Sequence, residues 1–236
     1  MILGLDLGVF VDAIEFVVDR RSLILDKTWE HVQLSAAAMA LALVLALPLG
    51  VVLGHLHRGS FVAVNLANVG RALPSLAVIA IGLAFLGVGF TNVTFALVVL
   101  AVPPILTNAY VAVDGVEPDA VEAARGMGMT RWQIIRSVEL PLALPLMFAG
   151  IRTSAVFVVA TATIAAVAGG GGLGDIIVNQ AGYGLEGVVG AAICVSLLAL
   201  AADAALGLVQ RLVTPPGLRT AARALEPDVV TGVTRH

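Results

Sequence analysis

From Arg71 to Asp114 the chain carries no charged side chain between the two, and that interval restricts its fold more than any other feature. A helix crossing a bilayer needs about 20 apolar residues, so the interval is long enough for two crossings. The run LSAAAMALALVLALPLGVVLG between His31 and His55 supplies another. Composition agrees: 59% of the 236 residues are hydrophobic and 12% charged, with a mean hydropathy of +1.02. A soluble domain carries about 25% charged residues, and half of that would leave large apolar patches facing water. An ordinary soluble enzyme and a disordered chain are excluded. The expected class is an all-α integral membrane protein. A net charge of −3 offers no basic surface for nucleic acid, and one cysteine, Cys194, permits no intrachain disulfide.

Five transmembrane helices are expected. The stretch Gly87-Val88-Gly89-Phe90-Thr91-Asn92 divides the long charge-free interval, because it holds the only turn-like cluster there. A fourth span follows Pro141 and ends near Ala168, and a fifth runs from about Gly187 to Gln210, interrupted by Asp203. Residues 1–30 differ. Leu7, Phe10, Ile14, Val17 and Val18 recur at helical spacing, while Asp12, Glu15 and Asp19 take much of the other side. That pattern suits an amphipathic helix lying in the interface. Residues 31–212 form the membrane domain, and 213–236 read as a solvated tail. Arginines set the orientation: Arg58, Arg125, Arg131, Arg136, Arg211, Arg219, Arg223 and Arg235 share one side, against Arg20, Arg21 and Lys27 on the other. The N-terminus is therefore expected outside and the C-terminus in the cytoplasm.

The longest polar segment, about 114–141, has an architecture of its own. Pro118 suits a first helical turn, and Asp119 and Glu122 favour the dipole at that end. Gly126 and Gly128 then stop the helix, since glycine takes the left-handed backbone of a tight reversal. Thr130 and Gln133 have capping-box spacing, so a second helix starts there, with Trp132 and Ile135 on one side. Pro141 is expected to start the next element. The result is a helix, a glycine elbow and a helix, between spans three and four.

Glu122-Ala123-Ala124, three residues, Gly128, nine residues, then Val138-x-Leu140-Pro141 resembles the EAA loop of binding-protein-dependent ABC importer permeases. Isoleucine is usual where Val138 stands. The similarity extends over roughly 30–212. The segments GRALPSLAV, EAARGMGMTRWQIIRSVELPLALP, AGIRTS and ATATIAAVAGGGGLGDII look like the branch importing glycine betaine, choline or carnitine. Permeases for methionine share the skeleton, so methionine or another small solute stays open. The resemblance implies a prokaryotic plasma-membrane permease that is not itself an enzyme. It further implies a second copy or related permease chain, two cytoplasmic ATPase subunits holding ATP and Mg, and an extracytoplasmic solute-binding protein. Surrounding lipid is a partner; nucleic acid is not. In that family the elbow residues Glu122, Ala123, Ala124, Gly128, Leu140 and Pro141 couple to the ATPase.

Two motifs mislead. Gly169, Gly171 and Gly174, with Gly172 among them, satisfy G-x-G-x-x-G, but that fingerprint has meaning only after a strand. A flexible or re-entrant turn on the outer side, beside the translocation path, fits better. His55-x-His57 lacks further ligands at metal spacing, and interfacial polar residues after a span explain it.

Other classes are an intramembrane enzyme and a membrane scaffold. The few charges in or near spans, Arg71, Arg152 and Asp203, make no recognisable acid–base set. At about 1.5 Å rise per residue, Arg152 and Asp203 lie roughly 16 and 12 Å from their cytoplasmic landmarks. They are expected to pair or share a polar cluster near the inner gate, with Arg71 nearby. The alternative is that each snorkels separately to the headgroups.

Overall fold

Breakers and backbone conformation, rather than charge, decide where the helices stop. The computed structural model describes residues 7–215, without the side chains of residues 7, 62, 64, 67, 69 and 71. Among the described residues every regular element is helical: α1 (Leu7–Asp19), α2 (Arg21–His55), α3 (Ser60–Ala72), α4 (Ser75–Leu86), α5 (Phe90–Asp114), α6 (Pro118–Gly126), α7 (Arg131–Ile134), α8 (Leu140–Ala162), α9 (Gly174–Val178) and α10 (Gln180–Val213). A π-turn at Ile135–Glu139 joins α7 to α8, and a 3₁₀ turn at Ile164–Ala168 follows α8. From residue 216 on, the expected tail lies outside the described residues.

Four helical stretches are long and apolar enough to cross a membrane: Arg21–His55, Phe90–Asp114, Arg131–Ala162 and Gln180–Val213. The expected second span, between Arg71 and Gly87, is not one of them. Its helix, α4, starts only after Pro74, which is extended (φ −65°, ψ 122°) and caps it, because a proline drives the preceding residue out of the helical region. The 13 residues of α3 and 12 of α4 are each too short to cross. Together they run antiparallel along the whole of α5. Thr107 Oγ1 donates to the Ala63 carbonyl (3.1 Å), Gly70 abuts Pro103, and Asn92 Nδ2 donates to the Ile79 carbonyl (3.4 Å). Among the described residues four helices are thus long enough to cross, with α3 and α4 packed beside the second of them, α5.

Two further boundaries differ from expectation. The segment 1–30 is not one element: α1 ends at Asp19 and α2 starts at Arg21, so Lys27 and Glu30 ride on the first spanning helix. Charge marks where a helix leaves the bilayer, but it leaves the backbone hydrogen bonds intact. Pro141 stands in the first turn of α8, as expected, but no loop precedes it. The helix runs from Arg131 through Ala162, and the π-turn ahead of Pro141 accommodates a ring that has no N–H and crowds the carbonyl four residues back.

The core forms around α5, whose Leu97, Leu100, Ile105 and Leu106 are almost wholly buried. Small residues bring its neighbours close. A Cβ on Gly50 of α2 would meet Ala109 Cβ at 2.7 Å and the Leu106 carbonyl oxygen at 2.8 Å. On the other side, a Cβ on Gly150 of α8 would meet Asn108 Cβ at 2.5 Å. Helix α10 packs on α8, and α1 lies against α10, with Ala13 and Val17 against Gly190 and Phe16 against Gly187. The kink in α10 at Gly184 (φ 70°) separates its first turn from the span.

Gly50→Leu is expected to overpack the α2–α5 contact by about 1–3 kcal/mol and to reduce monodisperse protein on size exclusion in detergent. Gly126→Ala, with nothing within 4 Å, should leave that profile unchanged.

Candidate functional site

The elbow sits at the end of the bundle where α2 and α5 finish. Pro118 occupies the first turn of α6, as its missing N–H allows, and Asp119 and Arg125 suit the dipole at the two ends. The chain then reverses at Gly128, whose φ is +78°. Nothing lies within 4 Å of a Cβ there, so backbone conformation and not space demands glycine. Gly126 is different: it closes α6 with no positive φ, contrary to the expected pair of left-handed glycines. The capping box forms as its spacing indicated, with Thr130 N donating to Gln133 Oε1 (2.8 Å) and Gln133 N to Thr130 Oγ1 (3.4 Å).

A small apolar cluster of Val116, Val121, Ala124 and Ile134 holds the two arms together. Ala124 is therefore buried, while Glu122 and Ala123 face outward. Glu122 has no hydrogen bond or ion pair among the described residues. The expected shared face of Trp132 and Ile135 does not form. Ile135 is buried, but Trp132 is 67% exposed and Met127 71% exposed, so two large apolar side chains stand at the tip on either side of Gly128. Leu140 and Pro141, half-buried, lie on the continuous helix leading away from it.

Glu139, left unassigned within the Val138-x-Leu140-Pro141 motif, is buried at the end of the π-turn. His55 at the end of α2 meets it, Nδ1 lying 2.8 and 2.9 Å from the two carboxylate oxygens. Both side chains are nearly inaccessible, at 8% and 2%. His57, the other half of the doubtful His-x-His, pairs with Asp114 at 2.9 Å on the surface. The signal was an acid inside an apolar motif and a histidine at a span end, which only folding brings together. Among the described residues no three His, Cys, Asp or Glu side chains converge as a metal site.

At mid-depth Arg152 of α8 grips Asp203 of α10 with a two-pronged contact, Nε to Oδ1 at 2.8 Å and Nη2 to Oδ2 at 2.7 Å. Gln210 joins them, accepting from Arg152 Nη1 (3.3 Å) and donating to the Pro145 carbonyl (3.2 Å). Arg71 lies on α3, with its side chain outside the described residues. One exposed stripe of α8 (Ala149, Thr153, Val156 and Phe157) floors a trough between α5 and α10. On its α5 side, at the α3–α4 break, a cavity of about 620 Å³ is lined by Ser75, Pro103, Thr107, Asn108 and Thr153 among others.

The glycine-rich turn occupies the opposite end. Gly169, Gly171 and Gly172 have φ of 73°, 75° and 81°, and a Cβ on Gly174 would run into the Thr163 carbonyl oxygen. The amide of Gly172 is already engaged by Glu30 Oε2 (2.9 Å), so a carboxylate stands where a phosphate would have to bind. Lys27 links Glu30 (2.8 Å) to Asp175 (2.7 Å) and fastens this turn to α2.

Comparison with known proteins agrees with this architecture. Residues 46–215 match the family described as binding-protein-dependent transport system inner membrane component. The chain is 42% identical to the glycine betaine/carnitine/choline transport system permease protein OpuCB of Bacillus subtilis (strain 168), covering 83% of this chain and 91% of that one. It is 40% identical to the carnitine transport permease protein OpuCB of Listeria monocytogenes, over 84% and 91%. Its fold resembles a chain of the MetNI methionine ABC transporter, with a TM-score of 0.72, 24% identity and coverage of 83% and 98%.

Removing one partner of the buried His55–Glu139 pair should strand the other, at a cost of about 1–3 kcal/mol. His55→Ala and Glu139→Gln are each expected to lower the melting temperature in detergent, and the double variant should lose less than their sum. Additive losses would show that the two do not act as a pair.

Proposed function

Because this chain belongs to the family of binding-protein-dependent transport system inner membrane components, we propose that it imports a quaternary-amine osmoprotectant by alternating access. Glycine betaine, choline and carnitine are the solutes considered, since relatives at about 40% identity bear those names. Methionine has less support, because the methionine transporter chain is 24% identical and shares only the fold. Two ATPase subunits hydrolyse ATP on the cytoplasmic side, a solute-binding protein delivers from outside, and a second copy or related permease completes the route.

The observation that carries the coupling role is the exposed apolar tip of the elbow. Met127 and Trp132 flank a glycine whose backbone other residues rarely adopt, and apolar side chains held out on a polar loop mark a docking surface. Arg58, Arg125, Arg131 and Arg211 put that end in the cytoplasm, with the N-terminus outside and α1 in the outer interface. ATPase closure moves the tip. Because Arg131–Ala162 is one helix, the displacement reaches the Arg152–Asp203 pair and the trough at mid-membrane without an intervening hinge. The Glu139–His55 contact passes it to α2.

The trough supplies half a route. Hydrocarbon does not tolerate a partly exposed ion pair, so a second permease chain and water cover it. Quaternary ammonium recognition by aromatic rings belongs to the solute-binding protein, as this chain has two Trp and two Tyr and holds Trp29 and Trp132 well exposed.

Vesicles reconstituted with this chain, its ATPase and its binding protein should accumulate labelled glycine betaine, choline or carnitine on addition of ATP. Left-handed strain of about 1–2 kcal/mol predicts at least tenfold slower uptake for Gly128→Val with normal membrane insertion, against wild-type uptake for Gly126→Ala. Normal uptake by Gly128→Val sinks the docking role.

A further inference from the structure

The Arg152–Asp203 pair does more than tie α8 to α10. Each side chain remains about one-third exposed, at 36% and 35%, although both lie well inside membrane-crossing helices. The pair borders a second cavity of about 420 Å³, lined by Ala149, Arg152, Thr153, Val156 and Asp203. Thr153 also lines the larger cavity at the α3–α4 break, so the two spaces are neighbours along the floor of the trough. A guanidinium has five N–H donors. Three are engaged here, by Asp203 and Gln210, which leaves one on each terminal nitrogen without a partner among the described residues.

We propose that this ion pair is a transient binding site for a zwitterionic solute, taking its carboxylate on Arg152 and its quaternary ammonium against Asp203. The inference rests on the trough being the solute route. A bound ion pair is a neutral dipole. A simple cation gains attraction from Asp203 but meets repulsion from Arg152 at nearly the same distance. A zwitterion lying antiparallel to the pair is matched at both ends. Its carboxylate accepts the free N–H groups of Arg152, a planar donor suited to carboxylates. The methylated ammonium offers no N–H and interacts with Asp203 through charge alone. Specificity then arises from the repulsive end as much as the attractive one. Glycine betaine and carnitine fit this site, and choline, which lacks a carboxylate, does not.

The test is equilibrium binding of labelled glycine betaine and labelled choline to the assembled permease–ATPase complex in nanodiscs, without the solute-binding protein. Glycine betaine should bind at least about tenfold more tightly than choline. Replacing both charges by neutral amides, Arg152→Gln with Asp203→Asn, keeps polar side chains between α8 and α10 but removes the dipole. That double variant should assemble with the ATPase yet lose glycine betaine binding and uptake by about tenfold. Should it fail to assemble, Arg152→Lys, which keeps the charge and loses the fork, should weaken glycine betaine binding severalfold and leave choline unchanged. Wild-type binding and uptake of glycine betaine in the doubly neutralised protein would reduce the pair to a structural tie. Equal affinity for the two solutes, or no glycine betaine binding, would also overturn the site. If the complete importer takes up none of the quaternary amines, the functional reading itself fails, which uptake by the unmodified protein reveals separately.

Discussion

Hydrocarbon cannot solvate a charge or an unpaired backbone group, and the structure depends on that one intolerance. The backbone answers it with continuous helices wherever the chain is exposed to lipid. The break at Leu73-Pro74 borders the cavity beside α5, as irregular backbone at such depth must either be buried or line a cavity. The side chains answer it by pairing. Arg152 and Asp203 meet inside the bundle, and Lys27 holds Glu30 and Asp175 where α2 emerges at one end. His55 and Glu139 meet where it ends at the other. Apart from Lys27–Glu30, which lies within α2, each pair joins different elements, so the demand for neutralisation also fixes which helices are neighbours.

A consequence is mechanical continuity. The elbow is not a hinged appendage on span four, because its second arm, the π-turn and α8 form one helical rod. The rod touches α6 through Ile134, α2 through Glu139, α5 through Gly150 and α10 through Arg152. No loop separates the tip from Arg152 along this stretch. Within it the π-turn departs from α-helical bonding. It coincides with the buried Glu139, and such turns recur at functional positions in helices.

The two ends of the bundle are built with different aims. At the elbow end, apolar Met127 and Trp132 stand exposed and Glu122 has no partner among the described residues, a surface unfinished in the isolated chain. At the other end the glycine turn is closed down, with the Gly172 amide, Glu30, Lys27 and Asp175 satisfying one another. A surface left unsatisfied is one that a partner completes, whereas a satisfied one must be opened by something that competes for its bonds.

The residues alone determined the class, four of the five expected spans, the elbow and its capping box, because each depends on local properties: apolar run length, proline and glycine backbone preferences, and short-range spacing. The EAA-like spacing made the family legible for the same reason, since it lies within one contiguous loop. Hydropathy could not show that the charge-free run after Arg71 opens with a helix too short to cross, preceded by a separate α3, nor that α2 continues past Lys27, because both depend on backbone hydrogen bonding and not on polarity. The Glu139–His55 contact and the trough escaped entirely. Their parts are far apart in the chain, and only packing of α2, α5, α8 and α10 decides which face of each helix looks at which. Pairing of Arg152 with Asp203 stood between these cases: equal depth was readable from residue rise, but the rotation that turns both side chains toward each other was set by the tertiary structure.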